Sequence, residues 1–170
     1  MAQQRAGMLT RQAVSEVLSP AACAVGQGRL HWSVVKPRCF LGLLVVKTEV
    51  VGCEVSELRI YLREKVASEP RLQYMVGSDR QNRVAIRRLD VNDDHRKWVN
   101  TTHKHALDAS SGLEEAYLPS DIPHVPLGAT VAPGTYQRLF EAFAAECFVT
   151  LPPDYWTDPQ GGVGIWTSSV

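Results

Sequence analysis

Five short apolar runs, each bounded by Gly, Pro or polar residues, place the strongest constraint on how this chain can fold. They lie at residues 30–36, 40–46, 55–63, 72–76 and 83–91. Runs of this length, rich in β-branched residues, are typical of β-strands. In the third run Leu58, Ile60 and Leu62 alternate with polar residues, which predicts one strand face on the core and the arginines in water. A short returning strand at 102–107 follows, so we predict an antiparallel sheet of about four to six strands.

Two helices are predicted at the ends of this sheet. Thr10 can cap a helix over residues 10–18, and Pro20 ends it. Thr135 is expected to cap a second, amphipathic helix near the C-terminus. Its apolar stripe consists of Tyr136, Leu139, Phe140, Phe143, Ala144, Cys147 and Phe148. The predicted fold class is therefore α+β.

The length of 170 residues fits one domain, which we place at residues 1–151. Residues 152–170 form a Gly/Pro-rich tail with Trp156 and Trp166, expected to anchor on the body or on a partner. The loop before the second helix holds four prolines and is expected to run without a regular ladder. No stretch is apolar enough to span a bilayer, so we expect a cytoplasmic protein without a membrane partner. The four cysteines form no Cys-x-x-Cys pair and are expected to be reduced.

The formal net charge of zero hides an asymmetry along the chain. Residues 80–105 carry seven basic and three acidic side chains, a balance of +4, whereas residues 106–170 carry eight acidic side chains and one basic, a balance of −7. Concentrated positive charge attracts polyanions, although a solvated strand face would look the same. The predicted nucleic-acid-binding residues are Arg83, Arg87, Arg88, Arg96 and Lys97.

Three of the five histidines fall close together, in the pattern Asp-x4-His-x7-His-x-His. The pattern comprises Asp90, His95, His103 and His105. In the strand at 83–91 an apolar face becomes polar at its C-terminal end, unless a bulge near Arg87 and Arg88 intervenes. Residues 93–102 are predicted to form a turn, and His103 and His105 to share one face of the returning strand.

Three kinds of chemistry fit this pattern, the first being acid/base cleavage of a phosphodiester. His103 and His105 would exchange protons, because the ordinary pKa of histidine lies near neutrality. Asp90 would orient a ring, and Lys104, Arg88 or Arg96 would stabilise phosphoryl charge. His95 completes the predicted catalytic set.

A divalent metal ion bound by Asp90, His95, His103 and His105 is the second alternative. The third is structural, with the same side chains bonding a turn and cross-strand pairs. The chain has no Walker A loop, no Gly-x-Gly-x-x-Gly after a strand and no Gly-x-Ser-x-Gly elbow. Nucleotide-driven motors, dinucleotide oxidoreductases and α/β-hydrolases are therefore disfavoured.

Over residues 88–105 the chain resembles TumE-like toxins of bacterial toxin-antitoxin systems. Arg88-Leu89-Asp90, His95 and His103-Lys104-His105 match that family's Arg-x-Asp strand end, following histidine and His-Lys-His element. The resemblance covers only these residues, and the family's additional histidines and prolines between the blocks are missing. It implies a small α+β toxin that acts on RNA and is neutralised by a protein partner.

These observations rank two functions. The first is a nucleic-acid-directed, toxin-like or defence-associated phosphodiester hydrolase that acts on RNA through the histidine-rich site. The second is a non-catalytic binding module, such as a subunit of a prokaryotic mobile-element or defence complex. The first requires His103, His105 and Asp90 to converge on one point, whereas the second requires exposed Arg and Trp on a continuous surface.

Overall fold

A computed structural model describes residues 9–95, 98–107 and 114–159, with the backbone alone at residues 95, 114 and 115. Within these ranges, seven strands lie between two α-helices along the chain, with single 3-10 turns after α1 and β3. The elements are α1 (Arg11–Val17), β1 (Val25–Lys36), β2 (Cys39–Lys47), β3 (Ser56–Arg63), β4 (Arg71–Val76), β5 (Val84–His95), β6 (Trp98–Leu107), β7 (Glu114–Tyr117) and α2 (Thr135–Glu146). None of the helices in the described ranges is long and apolar enough to cross a membrane.

The seven strands form one antiparallel sheet in the order β1 to β7, so every strand pairs with its neighbours in sequence. This confirms the predicted α+β class, with one strand more than the predicted upper limit. The additional strand is β7, whose sequence Glu-Glu-Ala-Tyr lacks the apolar alternation that marks the others. Only its pairing with β6 defines it.

The hydrophobic core lies on one face of this sheet. Leu58, Ile60 and Leu62 of β3 are fully or almost fully buried, as predicted. The stripe of α2 is buried with them, except Phe148, which is exposed because the helix ends at Glu146 and Phe148 takes a left-handed conformation (φ 55°). Burying each large side chain contributes about 1.5–3 kcal/mol to folding.

The helix caps were predicted correctly at one end of the chain and wrongly at the other. Thr10 caps α1, since its hydroxyl oxygen accepts a hydrogen bond from the amide of Ala13 at 3.0 Å. In α2 the cap is Gly134, in a left-handed conformation (φ 76°), and Thr135 is the first helical residue. The Thr135 hydroxyl instead donates to the carbonyl of Ala132.

The opposite face of the sheet was predicted to point its arginines into water, and this is wrong for Arg59. Its side chain forms an ion pair with Glu57, which is 5% exposed and also pairs with Arg83. A buried carboxylate must be paired, because an isolated buried charge loses its hydration without compensation. This face therefore holds charged side chains in contact with one another.

The first residues of the tail lie against strand β1. The Tyr155 carbonyl accepts from the amide of Leu30 at 2.7 Å, and the Thr157 carbonyl accepts from the indole of Trp32 at 2.7 Å. Trp156 meets Trp32 edge-on, with 6.1 Å between ring centroids. Residues up to 159 thus anchor on the body, while Trp166 lies outside the described residues.

The long β5–β6 hairpin replaces the turn that was predicted at residues 93–102. β5 continues to residue 95 and β6 begins at residue 98, with register shifts on both sides of Asp93. Asn92 and Asn100 take left-handed conformations (φ 50° and 47°), which Asn tolerates better than most residues. Asparagine therefore bends the ladder here without ending it.

A bulge near the start of β5 decides which side chains share a face. Tyr74 pairs with Arg87 but Met75 pairs with Ala85, so Ile86 is the extra residue. Ile86 and Leu89 are both buried in the core as a result. The bulge that the sequence allowed as an alternative is therefore present, slightly earlier in the strand than expected. As a consequence, Arg88 and Asp90 lie on the face opposite the core.

Candidate functional site

Two adjacent strands bring Asp90 and the two histidines together, and a third strand adds Arg71. Asp90 on β5 pairs directly with His103 on β6 and with Arg71 on β4. Arg88, two residues before Asp90, pairs with His105. Residues directly opposite in an antiparallel ladder point to the same face, so all five side chains meet on the sheet face away from the core.

Asp90, His103 and His105 converge closely at this point. Their nearest ligand-type atoms all lie within 4.8 Å of one another. Oδ2 of Asp90 is 3.6 Å from Nε2 of His103 and 3.3 Å from Nε2 of His105. We call these three residues the Asp–His cluster. They meet the geometric condition that catalysis at this site requires, namely approach of the three side chains to a common point.

His103 is held in a fixed orientation by two contacts. Its Nδ1 lies 3.0 Å from the carbonyl oxygen of Thr101, which can only accept a hydrogen bond, so Nδ1 carries the proton. The indole of Trp98 stacks on the imidazole, with 4.7 Å between centroids and 8° between the planes. His103 is only 1% exposed, and its Nε2 has no hydrogen-bond partner among the described residues.

Two arginines hold the Asp90 carboxylate. Arg71 Nε donates to Oδ1 at 2.5 Å, and Arg88 Nε donates to Oδ2 at 3.0 Å. A terminal nitrogen of Arg88 also lies 2.9 Å from Nε2 of His105. With both imidazoles neutral, the two arginines and Asp90 sum to one positive charge. The Arg71 side chain is 47% exposed, so it connects the buried Asp90 to solvent.

A cleft of about 480 Å³ opens beside the Asp–His cluster. Asp90 of the cluster and its ion-pair partner Arg71 both line the cleft. The volume is within the range of sites for small molecules and single nucleotides. The remaining polar and charged side chains of the wall are Lys36, Arg63, Tyr61, Gln73, Glu69 and Asp93.

Lys104, predicted as a catalytic residue, lies on the other face of the sheet. It pairs with Leu89 and Tyr117, so it points towards the core side, away from its neighbours His103 and His105. Its ammonium group contacts Asp121 at 2.7 Å and also Glu146 at the end of α2. The placement of Lys104 beside the histidines is therefore wrong, because adjacent residues of a strand face opposite sides.

Glu146, which contacts Lys104, also forms a hydrogen bond with Tyr117 of β7. Its hydroxyl donates to Glu146 at 2.6 Å. Burial, together with this bond and the charge of Glu146, raises the pKa of Tyr117 above its ordinary range. These contacts attach the C-terminal end of α2 to β6 and β7.

The predicted nucleic-acid-binding arginines do not form a free basic surface in the described part of the chain. Arg83 pairs with Glu57, and Arg87 lies 3.7 Å from Glu146 on the core side. Arg88 pairs with Asp90. The side chains of His95, Arg96 and Lys97 lie outside the described residues, so their predicted catalytic, metal-ligating and binding roles stay predictions.

Two residues of the site were missed by the sequence analysis. Arg71 precedes the apolar positions of β4, and Trp98 begins β6. The alternation of Arg71, Gln73 and Met75 against buried neighbours was a signal that Arg71 faces away from the core. Its contact with Asp90 depends on the β4–β5 register, for which the sequence holds no local signal.

The chain was compared with protein families, curated proteins and solved structures. The chain matches no protein-family model, no curated protein and no solved structure.

Proposed function

We propose that this protein hydrolyses phosphodiester bonds of nucleic acid, with RNA as the substrate, at the Asp–His cluster. The observation that carries the proposal is the convergence of Asp90, His103 and His105 within 4.8 Å, beside a cleft with basic side chains. Two imidazoles and a carboxylate at one point can activate an attacking oxygen. We propose a cytoplasmic, toxin-like role with a neutralising protein partner, following the resemblance to TumE-like toxins.

Arg71 is the residue we assign to phosphate binding. Its Nε donates to Asp90 and its side chain is 47% exposed, so the terminal nitrogens of the guanidinium can donate to the oxygens of a phosphate. Lys36 is exposed on the cleft wall, and Arg63 is about half exposed there. Nucleic acid is thus proposed to bind in the cleft and not along the basic strand that the sequence predicted.

The test is cleavage of total RNA by the full chain and by two double variants. His103→Ala/His105→Ala removes both imidazoles, whereas His31→Ala/His124→Ala removes two exposed histidines outside the cluster. We expect cleavage by the wild type and the control, and none by the cluster variant. Intact RNA in every reaction would overturn the proposal and favour the binding module.

Substrate choice is tested separately with oligonucleotides of one sequence. An all-ribose strand is expected to be cut. An all-deoxyribose strand should bind, and its cleavage would identify water as the attacking oxygen, whereas its resistance would identify the ribose 2′-hydroxyl. Arg71→Gln should weaken binding of both strands, because both present the same phosphates. Equal binding by wild type and Arg71→Gln would contradict the role assigned to Arg71.

A further inference from the structure

In the Asp–His cluster, both distances from the Asp90 oxygen to the histidine nitrogens fit a metal coordination sphere, and all three ligand atoms lie within 4.8 Å of one another. With zinc–ligand bonds of about 2.1 Å, two ligands of a tetrahedral ion lie about 3.4 Å apart. Oδ2 of Asp90 lies 3.3 Å from Nε2 of His105 and 3.6 Å from Nε2 of His103. Both distances are close to that edge.

His103 has the features of a metal ligand prepared by its surroundings. The Thr101 carbonyl accepts a hydrogen bond from the Nδ1–H group, which leaves the lone pair on Nε2. That atom is buried, has no hydrogen-bond partner among the described residues, and faces the Asp90 carboxylate. Two acceptors facing each other repel unless a cation or a proton lies between them.

His105 presents the same kind of atom to the same carboxylate. A terminal nitrogen of Arg88 lies 2.9 Å from Nε2 of His105. A guanidinium can only donate, so this Nε2 also carries a lone pair. Both imidazoles therefore have an unprotonated Nε2 within 3.6 Å of the same Asp90 oxygen.

We propose that Asp90, His103 and His105 bind one zinc-like transition-metal ion. Two imidazole nitrogens and one carboxylate oxygen suit Zn²⁺ and its first-row neighbours better than Mg²⁺ or Ca²⁺, which prefer oxygen ligands. Three protein ligands leave a coordination position for water, as in catalytic zinc sites. The binding of the ion is independent of the proposed function, whereas its role in activating water for hydrolysis rests on that function.

The arginines determine how tightly the ion can bind. Hydrogen bonds from Arg71 and Arg88 orient the carboxylate, as partners of a ligating carboxylate commonly do. Their two positive charges oppose a cation, and Arg88 must release His105 before the metal can reach Nε2. Arg88→Gln removes one charge and this competing donor, so metal affinity is expected to rise by about tenfold or more.

The experiment is calorimetric titration of the chelator-treated full chain with Zn²⁺, followed by visible absorption with Co²⁺. We expect one ion per chain, with affinity at least about tenfold weaker in Asp90→Asn, His103→Ala and His105→Ala and unchanged in His31→Ala/His124→Ala. Tighter binding by Arg88→Gln would support the site in a way that misfolding cannot imitate. Absence of binding by the wild type, or unchanged affinity in the cluster variants, would overturn the inference.

The two proposals fail separately. RNA cleavage that persists in EDTA, with no metal bound, would contradict the metal site and support the proposed hydrolase. Binding of one ion without RNA cleavage would support the metal site and contradict the proposed hydrolase.

Discussion

Nε2 of His103 lies 3.6 Å from Oδ2 of Asp90, although both side chains are almost completely buried and Nε2 has no hydrogen-bond partner among the described residues. Burial of polar atoms without partners reduces stability. The Asp–His cluster thus contains one buried polar atom whose hydrogen-bonding requirement is not met by the described protein atoms. Such places are more common at functional sites than in structural cores.

Asp90→Asn is expected to lower both stability and activity. The amide keeps the shape of the side chain but removes the negative charge that faces Arg71 and Arg88. Loss of hydrogen bonds to a charged group costs about 1.5–3 kcal/mol each, reduced here by the solvent exposure of Arg71. Urea unfolding measures this loss, and unchanged stability would show that the two ion pairs contribute nothing.

Lys104→Met is expected to destabilise the fold while leaving the chemistry of the cluster in place. It leaves Glu146 with only the more distant Arg87 as a cation among the described residues, a change that costs up to about 3–5 kcal/mol, reduced by the partial exposure of Glu146. The rate of RNA cleavage per folded molecule should stay at the wild-type level, because Lys104 faces the opposite side of the sheet.

The double variant Lys104→Met/Glu146→Gln provides the control for this buried pair. Removal of both charges should recover part of the stability that Lys104→Met loses. A severe loss of cleavage by folded Lys104→Met would contradict the placement and return Lys104 to the site.

Trp98 is expected to fix the ring of His103 by stacking. Such aromatic contacts contribute about 0.5–1.5 kcal/mol beyond the area they bury. The ring current of the indole should also shift the proton signals of the His103 imidazole upfield in NMR spectra. Trp98→Ala should remove that shift and Trp98→Phe should keep part of it, whereas identical His103 signals in all three proteins would contradict the stack.

Asn92 is expected to stabilise the bend of the β5–β6 hairpin. Its amide donates to the carbonyls of Ser68 at 3.0 Å and Val125 at 2.7 Å. Asn92→Gly keeps access to the left-handed backbone and loses these bonds, at a cost of about 1–3 kcal/mol. Asn92→Ala should cost about 1–2 kcal/mol more, because a Cβ is strained there. Equal unfolding free energies for the two variants would exclude the backbone contribution.

Stability is expected to fall at alkaline pH through the buried thiols. Burial, reinforced by the charge of Glu54, raises the pKa of Cys53 from 9.0 to about 11, and burial raises that of Cys147. Above about pH 9 the unfolded chain releases thiol protons that the native state retains, so the free energy of unfolding decreases as pH rises towards 11. Cys53→Ala/Cys147→Ala should show a shallower decrease in urea unfolding, and an unchanged slope would assign the alkaline loss to other groups.

The sequence predicted the architecture well because the signals for it are local. The alternation in β3 and the helical stripe in α2 indicate which side chains face the core. The core-facing side of each element is buried as expected. The extent of the β5–β6 hairpin was missed, since it depends on left-handed asparagines that resemble ordinary turn residues.

The site was predicted only in part. Asp90, His103 and His105 could be grouped because their strands are adjacent in sequence. The approach of Arg71 and the pairing of Arg83 and Arg87 with distant carboxylates depend on strand register and helix packing. A run of basic residues in the sequence therefore did not predict a basic surface.

Cleavage of a fluorescent oligoribonucleotide by His105→Ala tests the central claim most directly. His105 is the more exposed of the two clustered histidines, with a side chain 13% exposed, so its removal disturbs the fold least. We predict a rate at least about 100-fold below that of wild type and of His124→Ala, as expected when a group that activates the nucleophile is lost. A folded His105→Ala protein that cleaves as fast as wild type would contradict the assignment of the Asp–His cluster as the catalytic site.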